Sequence, residues 1–165
     1  MSSRSCHSSL PTSGLLDFYR GDGRDGAGRF LSDVWAFSDE ELEVTHDFIQ
    51  WLFPLPEPSR FVRDVPLLTD EDVLAFRSDP ELLSRVLRSA DLMRGFYART
   101  QAWRRPSDHN HARITRILRF LALLGLEAEA QQLFAWFDVE AGHLPTRTRW
   151  FWQEAMRPRP AWLAD

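Results

Sequence analysis

Apolar residues recur at helical spacing along most of the chain. Leu83, Val86, Leu87, Ala90, Met93 and Tyr97 recur on one helical face, and predict a long helix from 80 to about 103. Ile114, Ile117, Leu118, Leu121 and Leu124 form a second stripe. Phe120 and Leu123 widen it, as expected of a central helix, and Gly125 is its natural stop. Ala130, Leu133, Phe134 and Phe137 mark a third helix over 127–140. Alternation with period two is missing, and no hairpin dipeptide lies between β-branched runs, so no strand is predicted.

Polar punctuation supplies the ends. Ser38 begins SDEE with Glu41 three residues on, a capping box that opens a helix predicted to run to about 53. Pro54, Pro56 and Pro58 then enforce an extended link. Thr69 begins TDED and caps a helix to about 77. Asp79 and Pro80 restart the chain as cap and first helical residue. Asp108 or Asn110 caps the central helix. Shorter helices are predicted over 15–20, 29–37 and 146–156. The glycine-rich stretch GDGRDGAG, 21–28, lacks the Lys-Ser/Thr ending of a phosphate loop and follows no strand, so it reads as a flexible connection. The expected fold class is all-α: a single-domain irregular bundle of six to eight helices. It occupies 15–157, between an N-terminal tail, 1–14, and a C-terminal tail, 158–165.

Composition adds limits. The chain has 165 residues, 44% hydrophobic and 13% aromatic, which suits one domain with an aromatic-rich core. A single cysteine, Cys6, builds no disulfide framework and points to a reducing, cytoplasmic setting. No apolar run approaches the roughly eighteen residues that span a bilayer. All twenty basic residues are arginine, a bias of GC-rich, bacterial genomes. The net charge of −4 is unevenly spread. Residues 33–81 carry thirteen acids and three arginines, whereas 93–119 carry seven arginines and one acid, Asp108. Such asymmetry signals either an anionic partner or two halves packed through complementary surfaces; the second is favoured in a domain this small.

Two peptides carry candidate chemistry. In IQWLFPLPEP, 49–58, Trp51 and Phe53 form either a groove floor or an anchor of the turn to the core. His46 and Gln50 lie four apart on one helical face. His46 is also in register with Leu42, Ile49 and Phe53, the pattern of a core histidine. In DHNHARITRILRFL, from Asp108, His109 and His111 would point about 200° apart on a helix and cannot share a metal there. No cysteine or acid pair beside them completes a site, so no metal or cofactor is expected. Arg113 and Arg116 flank the apolar stripe, and serve either as forks for phosphate or carboxylate or as partners of acids in 39–47. No nucleophile elbow, HExxH or paired CxxC occurs. Acid clusters at 39–41 and 70–72 are accounted for as helix starts.

The candidate ligand-binding set is therefore His46, Gln50, Trp51, Asn110, Arg113 and Arg116, where the 51–58 turn meets the helix from His109. The partner expected is a peptide, an anionic small molecule or a protein. Two alternatives stand beside this reading. One is an enzyme using His46 or His109 as base. The other is a nucleic-acid-associated protein using arginines 93–119, which the net acidity opposes.

These peptides also carry a resemblance. Asp17-Phe18-Tyr19, the stretch from Asp39 to His46, IQWLFPLPEP, Leu67-Leu68-Thr69, LMRGFY (92–97), and His109-Asn110-His111 leading into RITRIL and LGLE occur in one order over about 17–157. In this the chain resembles the conserved N-terminal domain of the opioid growth factor receptor family. The resemblance implies an all-helical, non-enzymatic domain with no catalytic residue. The family's animal members are described as receptors for an enkephalin-type pentapeptide. They are associated with the nuclear envelope, restrain growth and are unrelated to seven-helix opioid receptors. The chain departs from them in its short segment between Tyr97 and His109, in ending soon after Met156, and in lacking an evident nuclear-import cluster.

Overall fold

A computed structural model of the chain describes residues 14–60 and 62–158. The expected tails, with Cys6 and His7, fall almost wholly outside that range. Among the described residues there are nine α-helices and no strand. In chain order they are α1 (Gly14–Arg20), α2 (Leu31–Trp35), α3 (Asp39–Val44), α4 (Ile49–Leu52) and α5 (Asp70–Ser78). These are followed by α6 (Pro80–Arg99), α7 (Asn110–Leu123), α8 (Glu127–Glu140) and α9 (Thr146–Ala155). A single 3-10 turn (Ala102–Arg104) joins α6 to α7. The all-α fold class is as expected.

Local capping sets most boundaries. Ser38 Oγ accepts from the Glu41 amide while the Glu41 carboxylate accepts from the Ser38 amide. Thr69 and Asp72 repeat the arrangement ahead of α5. Asp79 Oδ1 accepts from the amides of Glu81 and Leu82, with Pro80 filling the first position of α6. Gly125 ends α7 with φ of +78°, a left-handed conformation that favours glycine. The glycine-rich loop is more organised than a flexible connection. Buried Asp25 accepts from the amides of Ala27 and Arg29 and from Arg29 Nε, so one carboxylate knits the whole turn.

Two boundaries differ from expectation. The helix expected over 39–53 is two helices, α3 and α4, separated at 45–48. This raises the helix count above the six to eight foreseen. The cause is remote: the Arg113 guanidinium reaches into the break and donates to Leu42 O and Thr45 O, both at 2.7 Å. The long helix expected to run to about 103 ends instead at Arg99. There the fully buried Trp103 folds back, and its indole N–H donates to Tyr97 O at 2.7 Å and Thr100 O at 3.2 Å. The ring takes the place of a further helical turn.

Aromatic packing forms the core in two groups. Phe18, Tyr19, Phe76, Phe120 and Phe53 meet edge to face where α1, α5 and α7 converge. Tyr97, Trp103, Trp136, Phe137 and Trp152 gather α6, α8 and α9 around the other end of α7. Burying each such ring contributes on the order of 2–3 kcal/mol. α7 touches the first group through Phe120 and the second through His111 against Trp152, which makes it the central helix that its pattern predicted.

Candidate ligand-binding groove

The two singled-out peptides meet. The chain from α4 through the proline turn and the N-terminal half of α7 enclose a groove of about 590 Å³. Its lining comprises His46, Ile49, Gln50, Leu55, Pro58, Ser59, Arg60, Val62, His109, Ala112, Arg113 and Arg116. Four members of the expected set, His46, Gln50, Arg113 and Arg116, are among them. Trp51 and Asn110 are not. Adjacent positions on a helix point about 100° apart, so Gln50 faces the groove while Trp51 turns away from it. There its ring packs edge-on against Phe18, 5.5 Å between centroids.

Asn110 is a buried hub beneath the groove. Its Oδ1 accepts from Tyr97 Oη and Arg113 Nη1, each at 3.3 Å. Its Nδ2 donates to Asp108 Oδ1 at 2.8 Å and to Glu43 at 3.2 Å. Because arginine only donates, the amide orientation is fixed by chemistry.

Arg113 is only 5% exposed. Among the described residues no carboxylate of 39–47 takes its hydrogen bonds. They go to Leu42 O, Thr45 O, Asn110 Oδ1 and His46 Nδ1. Accepting at Nδ1 leaves the proton of neutral His46 on Nε2, as a donor. His46 is itself exposed. Its expected core register belonged to an unbroken helix, and the break at 45 swings it out, where its ring meets the edge of His109 at 5.4 Å. His109, expected as a candidate base and not as a metal ligand with His111, lines the groove beside it.

Arg116 donates one bond, to Phe53 O at 3.0 Å. Burial, and after it the neighbouring Arg119, disfavour its charged form, with Glu57 opposing. Burial likewise disfavours the charged form of Arg113, against the pull of Tyr97, Glu43 and Asp108. Both stay protonated, as arginine does in proteins, so positive charge is held in poor solvent without full compensation. No acid lines the groove. Among the described residues none of Arg60, Arg113 and Arg116 has a carboxylate at ion-pair distance, unlike Arg99 with Asp39, Arg104 with Glu140 and Arg119 with Glu57. Gln50 is 5% exposed, and its Oε1 has no hydrogen-bond partner among the described residues. A buried, unpaired carbonyl costs about 1–3 kcal/mol, which a donor on a ligand would recover.

Four arginines of 93–119 contact the acidic stretch. Arg99 and Arg119 pair with Asp39 and Glu57 of the acidic stretch, and Arg113 and Arg116 hold that stretch's carbonyls. Complementary pairing of the two halves is thus present at two ion pairs, while Arg94 and Arg104 pair with Asp91 and Glu140 outside the acidic stretch. No helix among the described residues is long and apolar enough to cross a membrane.

Comparison with known proteins agrees with the resemblance. Residues 28–105 match the family model described as the opioid growth factor receptor conserved region. The human opioid growth factor receptor is 35% identical over 159 residues, covering 83% of this chain and 23% of that protein. The rat receptor is 36% identical over 134 residues, 68% of this chain and 23% of its own. Mouse opioid growth factor receptor-like protein 1 is 33% identical over 136 residues, 69% and 29% respectively. The chain therefore spans about a quarter of the length of these relatives. No solved structure matches it.

Proposed function

Because the chain carries the conserved region of the opioid growth factor receptor family, we propose that it is a recognition module without turnover, in keeping with the receptor names of its relatives. The groove between α4, the proline turn and α7 holds a ligand with an anionic head on an apolar body. Peptides and small organic acids both offer that chemistry. One observation carries this reading: arginines without carboxylate partners border an apolar cleft that contains no acid. Arg116 and the Nε2–H of His46 face the anion, Gln50 Oε1 accepts from a neighbouring donor, and Ile49, Leu55, Pro58 and Val62 cover the body.

Geometry for base catalysis is met only in part. His109 stands beside Asp108 and Glu43, yet it is exposed and no hydrogen bond among the described residues orients its ring, which is poor preorganisation for proton transfer.

Titration with decanoate, followed by amide chemical shifts, tests the reading. Saturable shifts at 46, 50, 109 and 116 are expected, with decylamine giving none. Arg116→Met should weaken decanoate at least tenfold, the loss of one charge-assisted hydrogen bond, while the unfolding midpoint stays within a few degrees. Shifts elsewhere, or no saturation, would count against it.

A further inference from the structure

We propose that Glu43, Asp108 and His109 form a binding site for a divalent transition-metal ion at the edge of the groove. The fold joins residues that the sequence keeps far apart. Glu43 comes from α3, and Asp108 and His109 stand just ahead of α7. One ligand atom from each lies within 4.8 Å of the others. His109 Nε2 is 3.5 Å from Glu43 Oε1, and Nδ1 is 3.6 Å from Asp108 Oδ1. Neither contact is a hydrogen bond, so the imidazole is surrounded by carboxylate without being held by it. Ligands bonded at about 2.1 Å around a tetrahedral ion sit about 3.4 Å apart. The Nε2–Oε1 spacing already matches one edge of that figure, and a turn of the exposed His109 side chain brings one ring nitrogen within reach of both held carboxylates.

The carboxylates are placed before any ion arrives. Asn110 Nδ2 donates to both of them, and Asn110 is in turn fixed by Tyr97 and Arg113. Such outer support is the usual companion of a metal site. Two charges oppose a cation here: Arg113, and the positive end of α7, worth roughly half an elementary charge. Two carboxylates outweigh them. One nitrogen and two oxygen donors suit Mn²⁺, Co²⁺ or Zn²⁺ better than Ca²⁺ or Mg²⁺. Three protein ligands leave a position open, and His109 belongs to the groove lining, so the open position adjoins the ligand cleft. The site stands independently of whether the groove takes an anion.

The test titrates the full chain, freed of metal with EDTA, with cobalt chloride in a non-coordinating buffer. One equivalent of Co²⁺ should bind, give visible ligand-field absorption and be displaced by Zn²⁺. His109→Gln and Glu43→Gln should each weaken Co²⁺ at least tenfold, while Cys6→Ser and His143→Gln leave it unchanged. Binding that survives His109→Gln, or that needs millimolar Co²⁺, overturns the proposal. So does a protein whose stability responds to protonation of His109 and ignores metal, because a proton then fills the gap between the carboxylates. Decanoate titrated in the presence of EDTA reports on the groove alone, so failure of one idea is distinguishable from failure of the other.

Discussion

Arg113 shows how much one side chain decides. Its guanidinium replaces backbone partners that a continuous helix would have given Leu42 O and Thr45 O. Arg113→Met keeps much of the volume and strands those buried acceptors, so a loss of about 3–5 kcal/mol is expected in urea unfolding. Arg113→Lys retains the charge without the fork and should recover only part of it. Two phenols offer a residue-scale test in pH. Tyr19 and Tyr97 are fully buried, and that burial pushes both hydroxyls above their ordinary value. The unfolded phenol ionises near pH 10, whereas the folded one keeps its proton to higher pH. Their contribution is therefore complete below about pH 10 and is lost as the pH rises beyond it. Tyr97→Phe should flatten the alkaline limb of a stability profile measured from about pH 9 to pH 12.

At the scale of elements, signals within a turn of their effect were readable. Ser38, Thr69, Asp79 and Gly125 cap or stop helices where the chain announced it. Ser38→Ala should accordingly cost about 1 kcal/mol, measured by thermal unfolding. The break at 45 was unreadable because its cause is tertiary, and the one at 100 because a tryptophan three residues on is not itself a stop signal. Arg113 is 71 residues from Leu42, and Trp103 acts by folding back across the end of its own helix. No hydrophobic period encodes either event. His46 was misplaced for the same reason, since a register argument holds only while the helix continues.

For the whole molecule, the convergence of 49–58 with the start of α7 was legible in outline, and the division of labour within it was not. Neighbouring Gln50 and Trp51 part to different faces of α4, and Asn110 sinks below the groove as a hub. Glu43 came into view only through packing, as nothing local ties it to His109. The halves of opposite charge are joined by exposed pairs of modest worth. Arg99 holds the Asp39 carboxyl below its ordinary value through a direct hydrogen bond. Asp39→Asn should thus lower stability by no more than about 0.5 kcal/mol at neutral pH. That difference should vanish as the pH falls below the ordinary aspartate value of about 3.9, where the native carboxyl takes up its proton. Paired titrations of unfolding against pH for the two chains would read this out.

The strut between α7 and the gap after α3 has one more implication. Its acceptors are main-chain oxygens, which every amino acid possesses, while its donor is a unique guanidinium. Tolerance to replacement should then be lopsided across the same contact. Position 45 ought to admit many residues in a saturation library scored for folding, whereas position 113 rejects nearly all.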